Sequence, residues 1–87
     1  MYVTSGVRVR LYAQAREAVG HRELRRPLDA DGATLGALLE ALIEEYPALR
    51  PVLPGCRFAL NGAYVPHRAV RLRAGDDVGI HPPYSGG

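Results

Sequence analysis

The chain has 87 residues, 47% of them hydrophobic and 23% charged, so we expect one folded domain with a single core. The formal net charge is only +2 and the basic residues are dispersed, which argues against nucleic-acid binding, because that usually needs a continuous basic stripe with aromatic residues. No apolar run is long enough to cross a membrane, residues 1–6 lack the features of a signal peptide, and the single cysteine, Cys56, cannot form an internal disulfide. These observations predict a cytoplasmic protein without membrane attachment.

The first third of the chain is predicted to contain two strands and a short helix. Strict alternation of apolar and polar side chains indicates a half-buried strand at residues 7–13. Residues 14–19 are expected to form one or two helical turns, and residues 22–28 a weaker second strand. Because Pro27 has no backbone N–H, that second strand is assigned to a sheet edge.

An amphipathic helix is the clearest helical signal. After a predicted turn at residues 29–32, Thr34 is a good N-cap, and Pro47 is expected to end the helix after Tyr46. Apolar side chains recur between them at spacings of three and four, which places one apolar stripe along the helix. The stripe comprises Leu35, Leu38, Leu39, Leu42, Ile43 and Tyr46.

The last part of the domain is predicted to be a hairpin and a final strand. Asn61-Gly62 within residues 57–65 suits a type I′ turn, which needs positive φ at both central residues. Residues 70–72 are a further short strand or turn, and residues 77–81 the last strand. One helix can cover only one face of such a sheet, so we predict an α+β fold with the main helix on one face of a mixed sheet.

The chain continues after this strand as Pro82-Pro83-Tyr84-Ser85-Gly86-Gly87. The two prolines cannot donate hydrogen bonds to a sheet and favour extended backbone, so residues 82–87 are predicted to be a tail that can span about 20 Å. Residues 7–81 then form the domain and residues 1–6 a short N-terminal extension. A Gly-Gly ending alone is weak evidence for a functional tail, since such ends are common. Its position after a final strand suggests a tail without side chains at its tip, which could enter a narrow channel in a partner protein.

Several stretches resemble the small subunits of molybdopterin synthase, which are MoaD/ThiS-type ubiquitin-like sulfur carriers. The similar stretches are residues 11–20, 59–62 and 72–78, together with the Pro-Pro-x-x-Gly-Gly terminus, and the resemblance extends over residues 7–87. It implies a β-grasp (ubiquitin-like) fold, in which the first and last strands lie parallel and adjacent at the centre of the sheet.

The resemblance also implies a chemical role for Gly87. A ubiquitin-activating-enzyme-like adenylyltransferase would use ATP to adenylate its carboxylate, and a sulfurtransferase would convert it to a thiocarboxylate. The carrier would then dock on the large synthase subunit and donate sulfur to cyclic pyranopterin monophosphate. Gly86 would give the tail access to the partner's site. The chain itself is expected to bind no cofactor and to catalyse nothing alone.

Two further groups of residues are expected to serve this role. Pro82 and Pro83 would aim the tail. A small sheet covered by one helix leaves one face open, and an apolar patch there is expected to bind the partner. We assign Phe58, Tyr64 and Tyr84 to that patch.

Other functions stay open from the sequence. A carrier for thiamine or cysteine synthesis, or a ubiquitin-like protein modifier, would use the same terminal chemistry, although thiazole carriers tend to be shorter and to lack the Pro-Pro pair. A non-reactive ubiquitin-like binding module is the alternative of another class. Cys56 is expected to be structural, and one cysteine excludes a four-cysteine iron–sulfur centre. His21, His67 and His81 lack the spacing of metal ligands, so no metal site is predicted.

Overall fold

The computed structural model describes residues 6–28 and 33–83. The predicted turn at residues 29–32 lies outside them. The elements in chain order are β1 (Gly6–Leu11), α1 (Ala13–Val19), β2 (Glu23–Pro27), β3 (Ala33–Thr34), α2 (Leu35–Glu45), a short 3-10 helix (Pro47–Leu49), β4 (Arg57–Leu60), β5 (Ala63–Val65), β6 (Arg71–Leu72) and β7 (Asp77–His81). No helix within the described ranges is long and apolar enough to cross a membrane.

Five strands form a mixed sheet in the order β2-β1-β7-β4-β5. The first and last strands, β1 and β7, are parallel and central, and every other neighbouring pair is antiparallel. Parallel neighbours need a long connection, and the chain between β1 and β7 supplies it with the main helix α2. The β-grasp arrangement implied by the resemblance is therefore confirmed, as is the edge position of Pro27 in β2.

The core lies between one face of this sheet and helix α2. Alternate residues of β1 and β7 point into it, and Val9 pairs with Val78 while Leu11 pairs with Ile80. The predicted helical stripe supplies the opposite wall: Leu35, Leu38, Leu39, Leu42 and Ile43 are all buried. Because buried apolar area is the main stabilising contribution, this layer holds the two central strands in register.

Local contacts fix both ends of α2. The Thr34 side chain accepts a hydrogen bond from the Ala37 backbone N–H at 3.1 Å, which confirms the predicted N-cap. At the other end, Pro47 starts the 3-10 helix. Arg26 of β2 donates to Glu45 at 2.7 Å and to the Tyr46 hydroxyl at 3.3 Å, so the edge strand is tied to the end of the helix.

Both bounds of β1 differ from the prediction for backbone reasons. Strand β1 ends at Leu11 rather than at residue 13, because Ala13 adopts a left-handed φ of 49° and begins α1. At the other end, Gly6 is the first residue of β1 and pairs with Pro27. A Cβ at Gly6 would collide with the carbonyl oxygen of Arg26, so only glycine fits this close approach of the two strands.

The β4–β5 hairpin has the predicted turn. Asn61 and Gly62 have φ values of 51° and 89°, as a type I′ turn requires. The Asn61 side chain also donates to Asp76 Oδ1 at 3.0 Å and accepts from the Asp77 N–H at 2.9 Å. The hairpin is thereby joined to the turn that starts β7, the strand that leads to the tail.

Candidate functional site: the base of the tail and the open sheet face

The predicted reactive residues Gly86 and Gly87, and the predicted docking residue Tyr84, lie outside the described residues. The structure does describe the base of the tail, which consists of His81, Pro82 and Pro83. The site is therefore built from this base and from the sheet surface around it.

The two prolines continue directly from β7 and lie in different environments. Pro82 is buried, whereas Pro83 is exposed. The Pro83 ring lies over Gly55: a Cβ placed there would be 3.5 Å from Pro83 Cγ. Gly55 has a left-handed φ of 85°, so glycine suits this position for its backbone as well. The first two residues of the predicted tail are therefore in contact with the domain.

Three aromatic side chains meet on the sheet face opposite α2, and we call Tyr12, His81 and Tyr64 the ring cluster. The rings of Tyr12 and His81 are stacked, with centroids 4.4 Å apart and planes at 13°. Tyr64 meets His81 edge to face, with centroids 5.7 Å apart and planes at 82°. Tyr12 and Tyr64 remain 38% and 60% exposed. The cluster is thus an apolar surface directly beside the base of the tail.

Backbone features of β1 and β7 make this cluster possible. Tyr12 extends the line of β1, and its N–H donates to the Ile80 carbonyl at 3.3 Å. The left-handed Ala13 then turns the chain at once into α1. On β7, a Cβ at Gly79 would lie 2.9 Å from His81 Nε2, so the absent side chain makes room for the imidazole to lie back along the strand.

Charged side chains border the ring cluster. Asp77 accepts ion pairs from Arg8 at 3.7 Å and Arg10 at 3.3 Å, and Arg8 also meets Glu23 at 3.4 Å. These groups are partly exposed, so each pair contributes at most about 1 kcal/mol to stability. On the other side, Arg57 is the cross-strand neighbour of His81, and its guanidinium lies 5.6 Å from the Tyr64 ring centroid.

The surroundings of His81 favour the uncharged form of its imidazole. Burial lowers the pKa of His81 below its ordinary value of 6.5, because the charged form loses hydration. A proton on the ring would also place a second cation opposite Arg57.

Phe58 is not part of this surface, and its assignment to the docking patch is corrected. It is only 7% exposed and belongs to the core, where it pairs with Ile80. The Arg68 guanidinium lies 5.1 Å from its ring centroid and covers it from outside. Alternation along β4 accounts for the error, because Phe58 and Leu60 share the core face while Ala59 takes the open one. The proposed contribution of Tyr64 to docking stays a prediction.

Sequence reasoning did not assign Tyr12 and His81 to the functional site. A usable signal was present: strand alternation puts Tyr12 on the same side as Arg8 and Arg10, and His81 on the same side as Asp77. Their contact with each other could not be anticipated without the register between β1 and β7.

Cys56 has the environment of a structural residue. Its Sγ donates to the Val52 carbonyl at 3.1 Å. Burial raises the pKa of the Cys56 thiol, and the nearby Arg68 only partly opposes this. Since the thiolate is the reactive form, this environment agrees with the expected structural role. Within the described ranges, no three His, Cys, Asp or Glu side chains lie together as a metal site would require.

Comparison with known proteins relates this geometry to one family. A family model described as the ThiS family matches residues 9–87. The molybdopterin synthase sulfur carrier subunit of Chlamydomonas reinhardtii is 43% identical over 82 residues, which are 93% of this chain and 98% of that protein.

Two solved structures have the same fold. The crystal structure of SAMP1 from Haloferax volcanii has a TM-score of 0.80 at 30% identity, and the match covers 94% of this chain and 99% of that one. A protein–protein complex of subunits 1 and 2 of the molybdopterin-converting factor from Helicobacter pylori contains a chain with a TM-score of 0.65 at 26% identity, with 94% and 99% covered.

Proposed function

Because this chain belongs to the ThiS family, we propose that it is the sulfur carrier subunit of a molybdopterin synthase. The observation on which the proposal rests is the Gly-Gly terminus that follows β7 through the packed Pro82-Pro83 pair. A relative that is 43% identical over nearly its whole length is named as such a subunit. The exposed ring cluster at the base of the tail gives a partner a surface close to the reactive end.

The chemistry would take place at the carboxylate of Gly87. Its oxygen attacks the α-phosphate of ATP on an activating enzyme, which forms an acyl-adenylate and releases pyrophosphate. The terminal sulfur of a persulfide on a sulfurtransferase then attacks the acyl carbon, and AMP leaves with the oxygen. A thiol reductant cleaves the S–S bond of the resulting acyl disulfide, which releases the thiocarboxylate and the sulfurtransferase thiol. The product is a thiocarboxylate in which one oxygen is replaced by sulfur. An acyl carbon without a side chain is the least hindered target for both steps, and Gly86 keeps the approach narrow.

The folded body would supply binding and orientation rather than catalysis. Contacts of the exposed rings of Tyr12 and Tyr64, and of the neighbouring Arg57, with the large subunit would place the thiocarboxylate beside the pterin precursor. Binding energy from such a remote surface can convert the sulfur transfer into an effectively unimolecular step.

The experiment is a reconstituted transfer. The thiocarboxylated chain is mixed with the large synthase subunit of the same organism and cyclic pyranopterin monophosphate, and the dithiolene product is measured after oxidation to a fluorescent derivative. We expect product from the intact chain and none from a chain lacking Gly87, whose fold is checked by circular dichroism. Product from the shortened chain, or none from the intact thiocarboxylated chain with an active large subunit, would contradict the proposal.

A protein-modifier function is the second candidate, favoured by a specific finding. Small archaeal modifier protein 1 of Haloferax volcanii is 33% identical over 89 residues, and the SAMP1 crystal structure of that organism matches with a TM-score of 0.80. All eleven basic residues of this chain are arginines, so an isopeptide bond to a lysine must involve another protein. Trypsin would cleave after Arg73, the last basic residue, and leave residues 74–87 on any modified lysine. Mass spectrometry of cell extracts for that remnant tests this function.

A further inference from the structure

We propose that His81 is a positioning residue that sets the direction in which the tail leaves the sheet. The proposal rests on the sulfur-carrier function, because direction matters only if the carboxylate of Gly87 must reach a partner's site. It is distinct from docking: a docking residue contacts the partner, whereas His81 would act through the conformation of its own chain.

The side chain of His81 is held on two sides by rings from other strands. Tyr12 stacks on it at 4.4 Å, and Tyr64 meets it edge to face at 5.7 Å. The site is also shaped for this placement, because a Cβ at Gly79 would come to 2.9 Å of Nε2 and 3.4 Å of Cδ2. A Cβ at residue 79 would therefore force the imidazole to shift from its present position.

The placement of Tyr12 has a backbone cost. Ala13 has a φ of 49°, a left-handed conformation that residues with a Cβ rarely adopt. It lets Tyr12 stay in the line of β1, bonded to Ile80, while α1 starts at the next residue. Unusual backbone held in place by its surroundings is a feature of functional sites, and here it sets the ring that stacks on His81.

His81 is also the residue at which the chain leaves strand β7. It ends β7, opposite Arg57, and the two prolines after it have no N–H to donate to a neighbouring strand. A residue before proline is restricted to extended backbone. Pro82 is buried and Pro83 lies over Gly55. With the His81 side chain fixed in the cluster, the described start of the tail, Pro82 and Pro83, would leave β7 in one direction.

The effects of a substitution on KM and on kcat distinguish a positioning residue from a docking residue. The carrier is the varied substrate of the activating enzyme, and formation of the thiocarboxylate is measured up to saturation. A docking residue changes KM alone, because saturation restores the complex. For His81→Ala we expect kcat to fall about tenfold, since a tail that points in several directions is seldom in reach of the reacting group.

Three matched variants complete the test. His81→Phe keeps a ring between the two tyrosines and should retain kcat within about twofold of the parent chain. Gly79→Ala leaves both tyrosines and the tail unchanged but displaces the imidazole, so it should resemble His81→Ala. His67→Ala removes an exposed histidine of a loop and should change neither constant. A rise in KM with an unchanged kcat in both His81→Ala and Gly79→Ala would overturn the proposal.

A second measurement needs no activity. A nitroxide spin label is attached to Ser85→Cys in a Cys56→Ser background, and the broadening of backbone amide signals is recorded by NMR. In the parent chain and in His81→Phe we expect strong broadening of one defined set of amide signals. In His81→Ala we expect weaker broadening that is spread over more amides. Identical sets in the parent and His81→Ala would refute the proposal. If no activating enzyme thiocarboxylates the parent chain while the label pattern changes as expected, the sulfur-carrier function fails and the positioning role stands.

Discussion

Substitution of Asn61 tests how the hairpin is joined to the strand that leads to the tail. Its side chain donates to Asp76 Oδ1 at 3.0 Å and accepts from the Asp77 N–H at 2.9 Å, while its own backbone has a φ of 51°. Asp76 in turn accepts from the Arg73 N–H at 2.7 Å. One asparagine therefore connects the β4–β5 turn with the turn that starts β7.

The expected cost of Asn61→Ala follows from these contacts. Each lost hydrogen bond is exposed and contributes about 0.5–1 kcal/mol net. Alanine also tolerates the left-handed backbone less well than asparagine, which adds about 1 kcal/mol. The sum is about 2–3 kcal/mol. Asn61→Gly loses the two hydrogen bonds but not the backbone preference, so we expect about 1–2 kcal/mol.

Asn61→Asp separates the two hydrogen bonds. Aspartate keeps an acceptor for the Asp77 N–H and tolerates left-handed backbone, but it places a carboxylate against that of Asp76. We expect a cost of about 1 kcal/mol that shrinks in high salt, where exposed like charges are screened.

The assay is urea unfolding followed by circular dichroism, with thermal unfolding as a second readout. For a domain of this size about 1 kcal/mol corresponds to a shift of about 4–8 °C in Tm. The expected order of stability is parent, then Asn61→Asp and Asn61→Gly, then Asn61→Ala. A loss below about 0.5 kcal/mol for Asn61→Ala, or equal losses for alanine and glycine, would refute the assignment of roles, since exposed substitutions without special contacts fall in that range.

Three other predictions concern single residues. Thr34→Ala removes the acceptor for the Ala37 N–H and should lower the free energy of unfolding by about 1 kcal/mol, with Thr34→Ser close to the parent chain in the same urea assay. The pKa of His81 is lowered in the folded state, so its contribution to stability is present above the unfolded pKa of about 6.5 and is lost as the pH falls through the folded pKa. The free energy of unfolding, measured between pH 7.5 and 5, should therefore drop more in the parent chain than in His81→Phe. Parallel curves for the two chains would contradict this. Cys56→Ser keeps a donor for the Val52 carbonyl and should leave thiocarboxylate formation unchanged, whereas loss of that reaction in a folded Cys56→Ser chain would show that this thiol takes part.

The fold could be predicted where the information lies in neighbouring residues. The three-and-four spacing between Thr34 and Tyr46 defines α2, and Asn61-Gly62 defines the hairpin turn, because both depend on local backbone preference. The two-residue strands Ala33–Thr34 and Arg71–Leu72 are too short to show alternation. At Ala33–Thr34 the sequence predicted the helix N-cap but no strand.

The candidate site was less accessible to sequence reasoning because it depends on contacts between distant residues. The stacking of Tyr12 on His81 requires the parallel register of Leu11 with Ile80, which no local pattern specifies. Phe58 was misassigned for a related reason, since an aromatic residue in a small sheet can lie on either face until the pairing of its strand is known. The strained backbone of Ala13 also leaves no trace in the sequence.

The most direct test of the central claim is the intact mass of the chain after incubation with ATP, the activating enzyme of its own organism and a sulfur donor. Replacement of one carboxylate oxygen by sulfur should raise the mass by about 16 Da, and the gain should map to the peptide that contains Gly87. A chain with residues added after Gly87 is the matched control and should show no gain. A parent chain that stays at its original mass with an active enzyme, or a gain retained in the extended chain, would contradict a sulfur carrier that works through its terminal glycine.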